Sequence, residues 1–353
     1  MIQRPIQLLL DGHDLSRDEA RDTMNAIMEG ETTPAQIGGF LVALRTKGET
    51  ADEIAGFAEA MRAHVVAVTA TRSPLVDIVG TGGDGANTFN ISTTAAIVAA
   101  AAGAAVAKHG NRAASSACGS ADVLEALGIG LEQTPEHIAR SIDELGFGFM
   151  FARAHHPAMR HVAPVRQELG IRTVFNVLGP LANPAGARNG VFGVYGAELA
   201  RTYAEALAEL GAQSAFVVHG DGGLDELTPF GTNLIVEVVD GDVREWELDP
   251  RELGIYPSDP GTLRGGSATE NAITLRDVLA GEAGGRRDAV VLNAAAAIVA
   301  AGLADDIGDG LGVAAEAIDS GAATARLEAL ILFAGAATTT DNEFRVRRSE
   351  RPQ

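Results

Sequence analysis

The residues best suited to chemistry cluster between Leu75 and Ser120, LVDIVGTGGDGANTFNISTTAAIVAAAAGAAVAKHGNRAASSACGS. A β-branched run, Leu75 to Val79, leads into a turn in which Gly80, Gly82, Gly83 and Gly85 surround Thr81 and Asp84. Glycine lets backbone N–H groups approach a ligand with no Cβ in the way. Asn90-Ile91-Ser92-Thr93 then opens an Ala-rich segment that reads as a buried helix with a Ser or Thr cap. Its first N–H groups and positive dipole end would add to an anion cradle. A second apolar run, Ala104 to Ala107, delivers Lys108-His109-Gly110-Asn111-Arg112 and another small-residue turn, Ser115-Ser116. Asn90, Ser92, Thr93, Ser115, Ser116 and Ser120 offer neutral donors, and Lys108 and Arg112 offer fixed charge. Two such turns suit a ligand with phosphates at both ends. The spacing is neither G-x-x-x-x-G-K-[ST] nor a clean G-x-G-x-x-G, and no Lys follows the glycines before the helix. A nucleotide triphosphatase is therefore disfavoured.

Three further groups carry possible chemistry. Asp225 and Glu226 follow the expected strand Ala215 to His219 in a glycine turn, with Asp221 nearby. Such a pair can hold a hydrated Mg²⁺ together with substrate phosphate oxygens, although an acid pair in a loop is more often simply solvated. Arg166 has a planar fork that matches a carboxylate at two points, or it lies on a solvated helix face. His155, His156 and His161 lack H-E-x-x-H spacing and any accompanying Cys or carboxylate cluster, which argues against a metal centre there. The single cysteine, Cys118, reads as a small buried side chain and is compatible with a reducing compartment.

Composition bounds the partners. The formal net charge of −20 argues against non-specific binding to nucleic acid or an anionic membrane. It also requires positive charge to be gathered locally for an anionic substrate. Lys108 and Arg112 form one cluster. Arg153, Arg160, Arg166 and Arg172 form another, with Glu168 as the lone acid among them. The longest apolar run, Ala95 to Ala107, is too short to span a bilayer, and the start MIQRPIQLLLDGHD lacks the apolar stretch of a signal peptide.

The elements that must position these residues follow from capping and periodicity. Residues 1–72 read as an all-helical domain. Ser16-x-x-Glu19 and Thr50-x-x-Glu53 are capping boxes, and Thr33-Pro34 opens a helix whose Ile37, Phe40, Leu41 and Leu44 share one face. Ile54, Phe57 and Met61 repeat that pattern. Residues 73–340 read as a larger α/β domain, a central, mostly parallel sheet flanked by helices. Helices open at Ser120 and Thr134 and close at Gly128 and Gly146. Part of 155–190, a helix and then a Gly/Pro-rich loop from Asn176 to Gly186, is expected to pack on the helical domain. Strand Val191 to Tyr195 and helix Ala197 to Leu210 follow. After 240 come an edge strand in VREWELDPRELGI, a loop over 257–269 and core helices over 288–336. A flexible tail is expected over 341–353.

In combination, D-x-V-G-T-G-G-D, N-I-S-T and K-H-G-N-R, with HHPAMRHVAPVRQELGIRTVFNVLGPLANPA and GLDEL downstream, resemble the anthranilate phosphoribosyltransferase family over about residues 5 to 335. The resemblance implies Mg²⁺-dependent transfer of the phosphoribosyl group of PRPP to the amino nitrogen of anthranilate, in tryptophan biosynthesis. It further implies a cytoplasmic homodimer joined through the helical domain. PRPP would meet Gly80, Gly83, Asp84, Thr88, Asn90, Ile91, Ser92, Thr93, Lys108, Ser116 and Ser120. Anthranilate would meet Gly80, His109, Asn111, Arg166, Gly179 and Pro180, and Mg²⁺ would meet Ser92, Asp225 and Glu226. An arylamine is already neutral near pH 7, so no single residue need be an indispensable proton carrier. Two rivals are weaker. A pyrimidine nucleoside phosphorylase would carry a lysine-serine-threonine-glycine-glycine loop in place of Val79-Gly80-Thr81-Gly82-Gly83. A non-catalytic nucleic-acid-binding relative would be expected to have lost the glycine turn or gained a basic face.

Overall fold

A computed structural model describes residues 2–113 and 117–349, with side chains as far as residue 335. The chain opens with four helices, α1 (Gln3–Leu10), α2 (Arg17–Met28), α3 (Pro34–Lys47) and α4 (Ala51–Ala63). Ser16, Thr33 and Thr50 each close a capping box, with Glu19, Gln36 and Glu53 reaching back. The 3.6-residue stripes Ile37/Phe40/Leu41/Leu44 and Ile54/Phe57/Met61 are buried, as their spacing requires.

The α/β part follows as β1 (Leu75–Gly80), α5 (Ile91–Ala101), β2 (Ala105–Gly110), α6 (Ser120–Ala126), α7 (Pro135–Leu145) and β3 (Phe147–Phe151). Three short helices, α8 (Ala152–His155), α9 (Ala163–Leu169) and α10 (Phe175–Leu181), lead to β4 (Asn189–Gly193), α11 (Ala197–Glu209) and β5 (Ser214–His219). A hairpin, β6 (Asn233–Val239) and β7 (Asp242–Leu248), and the helices α12 (Ala268–Leu279), α13 (Gly285–Ala300), α14 (Ile307–Asp319) and α15 (Ala322–Ser349) complete the chain. The seven strands form one sheet in the order β3-β2-β1-β4-β5-β6-β7. Strands β1 to β5 are parallel, and β6 and β7 are antiparallel at the edge. The apolar helices α5 and α13 cover one face and α11 covers the other. The N-terminal helices share a core with Val162, Val165, Phe175, Leu178 and α11, so the second face of the sheet and the helical bundle are sealed by the same side chains. Among the described residues, no helix is long and apolar enough to cross a membrane.

Four local expectations change. The segment expected as loop from Asn176 to Gly186 is instead helical as far as Leu181, forming nearly all of α10, with Pro180 inside the helix. Its apolar side chains are drawn into the shared core, and in a helix this short Pro180 forfeits only one backbone bond. Strand β4 lies two residues earlier than expected. The segment expected as loop over 257–269 holds a 3₁₀ turn, Pro260–Leu263, and already enters α12 at Ala268. Helix α15 runs through 341–349, expected as tail, where no Gly or Pro stops it.

Candidate active site

The order of the sheet reverses between β1 and β4, and ligands on such sheets bind beyond the carboxyl ends of the strands at that point. The turn after β1 lies there and bounds a cavity of 360 Å³. The loop carrying Asp225 and Glu226 crosses the switch point so closely that a Cβ on Gly80, the last residue of β1, would collide with the Asp225 carboxylate. A Cβ on Gly193, the last residue of β4, would collide with the Asp225 backbone carbonyl. Both glycines are therefore required by close approach. Asp225 Oδ2 in turn accepts from the Gly82 N–H at 2.6 Å, which ties the acid to the turn.

Helix α5 does not use a Ser or Thr cap. Asn90 occupies the N-cap without a side-chain cap, and Glu226 Oε1 accepts from the Ser92 N–H at 3.0 Å in its place. A carboxylate from a distant loop thus meets the positive end of α5. Thr88 Oγ1 lies 3.5 Å from the other Glu226 oxygen. Burial and the neighbouring Asp84 push the Asp225 carboxyl up to about 6, and burial together with Asp225 pushes Glu226 well above its ordinary value. Three acids thus converge on one cavity with their negative charge poorly offset. Among the described residues, no group of three His, Cys, Asp or Glu side chains could by itself hold a metal. The donors present are hard oxygens that fit a hydrated Mg²⁺ completed by ligand phosphate.

Lys108 is buried below the cavity and donates to the Ile78 carbonyl. Burial lowers its pKa, against the raising influence of Asp77 and Glu226. Thr93 lines the cavity with its Oγ1 buried and unpartnered. Asn90 is held by Asn271 Nδ2 at 2.9 Å and by the Cys118 carbonyl at 3.2 Å.

His109, next along β2, points toward α10. Its Nδ1 lies 3.0 Å from the Gly179 carbonyl, and a carbonyl only accepts, so this nitrogen carries the proton. Its Nε2 faces His156 Nε2 at 3.2 Å. Burial pulls His109 down to about 3 and His156 to about 4, so both rings are neutral near pH 7. Arg166 lies on α9, its guanidinium 5.5 Å from the centre of the Phe175 ring. Burial lowers its pKa, and no carboxylate pairs with it among the described residues. Such a cation in a part-buried place invites an external anion.

Two domain descriptions of one glycosyl transferase family match the chain in tandem. Residues 4–65 match its helical bundle domain, and residues 72–324 match its a/b domain. The chain is 54% identical over 339 residues to the anthranilate phosphoribosyltransferase of Anaeromyxobacter sp. (strain K), covering 96% of this chain and 99% of that one. The chain belongs to the anthranilate phosphoribosyltransferase family. The Methanocorpusculum labreanum enzyme of this family is 52% identical, over 95% of this chain and 98% of that one. The family's crystal structure from Thermus thermophilus superposes with a TM-score of 0.89 at 51% identity, covering 93% of this chain and 98% of the other. The Saccharomyces cerevisiae structure in complex with PRPP and Mg gives 0.86 at 31% identity, with 94% and 97% covered.

Of the residues expected at a phosphoribosyltransferase site, Gly80, Gly83, Asp84, Thr88 and Asn90 line the cavity from the turn side. Ser92, Thr93, Lys108, His109, Asn111, Ser120, Asp225 and Glu226 complete it. Ile91 is buried in the core and bonds only through its backbone. Arg166, Gly179 and Pro180 do not line the cavity, and of the three Gly179 reaches it through His109. Ser116 lies outside the described residues. Arg112, expected as a charge for phosphate, is occupied by Asp122 at 2.8 Å and Glu125 at 2.9 Å, because α6 presents both acids to it. Arg172, expected only as one of a basic cluster, stacks 4.3 Å over the Tyr195 ring and donates to the Gly83 carbonyl, which ties it to the glycine turn. Asp77 opens the D-x-V-G-T-G-G-D motif and Asn183 lies in the LANPA segment, but the sequence alone assigns neither a role.

Proposed function

We propose that this chain transfers the 5-phosphoribosyl group of PRPP to the amino nitrogen of anthranilate and releases pyrophosphate, in tryptophan biosynthesis. The observation that carries the reading is the meeting of the glycine turn, Asp225-Glu226 and Lys108 around one cavity at the topological switch point. The C1–O bond to pyrophosphate breaks as the amine lone pair forms the C1–N bond, and the amine proton is lost. The ribose passes through an oxocarbenium-like state, as at other glycosidic centres. Bound Mg²⁺ supplies positive charge to the departing pyrophosphate oxygens.

The chain's own groups bind and orient. Backbone N–H groups of the Gly80–Gly85 turn, with Thr88 and Asp84 beside them, take the pyrophosphate end of PRPP. Asn90, Ser92, Thr93, Lys108, Ser116 and Ser120 take the phosphoribosyl portion, the unpartnered Thr93 hydroxyl being one ready donor. Ser92, Asp225 and Glu226 face the metal. Arg166 holds the anthranilate carboxylate, and Asn111, His109, Gly179 and Pro180 wall the aromatic ring. Catalysis then rests on orientation and on stabilising the leaving group, with no residue as an obligatory proton carrier.

The same reading divides the chain into a helical domain, residues 1–72 with part of 155–190, and an α/β domain from residue 73 on. It gives a cytoplasmic homodimer joined through the helical domain, with no nucleic-acid partner. The deciding experiment follows anthranilate fluorescence with PRPP, with and without Mg²⁺. A fall that needs all three is expected. No fall while PRPP still binds would remove anthranilate as the acceptor.

A further inference from the structure

The ladder between β1 and β2 stops early. They pair only at Leu75↔Ala105 and Val76↔Val106, although β1 continues to Gly80 and β2 to Gly110. On its other side β1 pairs with β4 from Val76↔Asn189 to Gly80↔Gly193. Past Val76 the sheet is split on the β2 side, directly under the cavity, and side chains fill the split. The wholly buried Asp77 carboxylate accepts from the His109 backbone N–H at 3.3 Å through either oxygen, and from Asn183 Nδ2 at 2.8 Å. The same Asn183 amide donates to the Ala107 carbonyl at 2.8 Å. Lys108 Nζ, one residue on, reaches back to the Ile78 carbonyl. Asn183 stands just past the end of α10, whose Gly179 carbonyl holds His109 Nδ1. The end of β2 therefore keeps its ladder to β3 through Gly110↔Phe151, while its β1 edge is held by Asp77 and the α10 segment in place of a ladder.

We propose that Asp77 is a positioning residue that couples the two halves of the site. It sets Lys108 at the phosphoribosyl cradle, and through the His109 N–H and Asn183 it seats His109 and Gly179 on the acceptor side. The position demands a group that only accepts, because it faces an N–H from each direction and a buried ammonium nearby. An asparagine here must turn its NH₂ against one of those donors, leaving a buried donor unsatisfied.

This inference rests on the phosphoribosyl-transfer reading, and the test separates the two. Asp77→Asn, folded by circular dichroism, is expected to lose about tenfold or more in kcat/KM for both PRPP and anthranilate, the scale of one misdirected buried polar group. The double variant Asp77→Asn with Asn183→Ala should lose at least about threefold less than the product of the two single losses, a coupling that independent packing defects would not show. Wild-type kinetics in Asp77→Asn, or losses that simply multiply in the double variant, would overturn the role. Should wild type fail to turn over PRPP and anthranilate, the reading of the reaction fails. Amide exchange at His109, whose N–H meets Asp77, then decides, with about tenfold faster exchange expected in Asp77→Asn and an unchanged rate overturning the role. Should Asp77→Asn not fold, Asn183→Ala carries the test. A raised anthranilate KM with an unchanged PRPP KM supports the coupling, and any other pattern overturns it.

Discussion

At the scale of single residues, Arg166 asks most plainly for a ligand. Its guanidinium stays charged at any ordinary pH, is partly buried over Phe175 and meets no carboxylate among the described residues. A charge-assisted pair with a substrate carboxylate would contribute about 1.5–3 kcal/mol. Arg166→Ala should therefore raise the anthranilate KM about 10- to 100-fold and leave the PRPP KM unchanged, as steady-state kinetics in each substrate would read. Arg166→Lys should recover only part, since an ammonium lacks the planar fork. An unchanged anthranilate KM in Arg166→Ala would end the clamp assignment. The glycine turn was legible because it is a local demand of backbone geometry, whereas Arg166 and the acid pair read locally as solvated surface and were singled out by the family resemblance. Asp77 and Asn183 had no legible role, since they lie 106 residues apart and meet only through the split between β1 and β2. Arg112 misled because its two acids belong to a helix whose facing side no local pattern reveals.

At the scale of elements, the helical bundle was legible almost throughout, because capping boxes and apolar stripes act within one turn or one face. One buried acid there does more than cap. Glu53 is fully buried, accepting from the Thr50 N–H, the Leu15 N–H and Lys47 Nζ at 2.9 Å each. It therefore ties α4 to the loop before α2 and to the end of α3. Removing it strands a largely buried ammonium with only Asp14 at 2.6 Å. Glu53→Ala should cost about 3 kcal/mol in urea denaturation, against less than about 0.5 kcal/mol for an exposed-acid control such as Glu29→Ala. Equal costs would show that the tie contributes nothing. Helix α10 was illegible for the opposite reason. Its Gly-Pro pair speaks locally for a loop, and tertiary burial of Phe175, Val177 and Leu178 overrides it.

At the scale of the whole molecule, two consequences of charge and burial can be measured. His109 and His156 are held at about 3 and 4, below the ordinary 6.5, so the unfolded chain binds their protons first as pH falls. Stability from these neutral rings is present above about 6.5 and is lost toward about pH 4, at about 1.4 kcal/mol per pH unit for each ring. Asp77 and Asp225, raised to about 6, act with the opposite sign below that pH, so the histidine share is read by comparison. His156→Gln should show a shallower fall in denaturation free energy between about pH 6.5 and 4.5 than wild type, and parallel curves would refute the assignment. The second consequence is association. A chain of net charge −20 repels its copies, so contact needs a patch of few charges. A groove of 620 Å³ between α1 and α3 provides one, walled by Ile6, Leu9, Leu10, Val42 and Leu169, with Leu10 66% and Val42 42% exposed. Apolar surface of this kind on the helical domain is suited to burial against a second copy. Leu10→Glu places a like charge on both sides of a two-fold contact, where repulsion and lost apolar burial act together. Sedimentation should report a dimer for wild type and a monomer for Leu10→Glu, with circular dichroism unchanged. A variant that stays dimeric would move the contact off this groove.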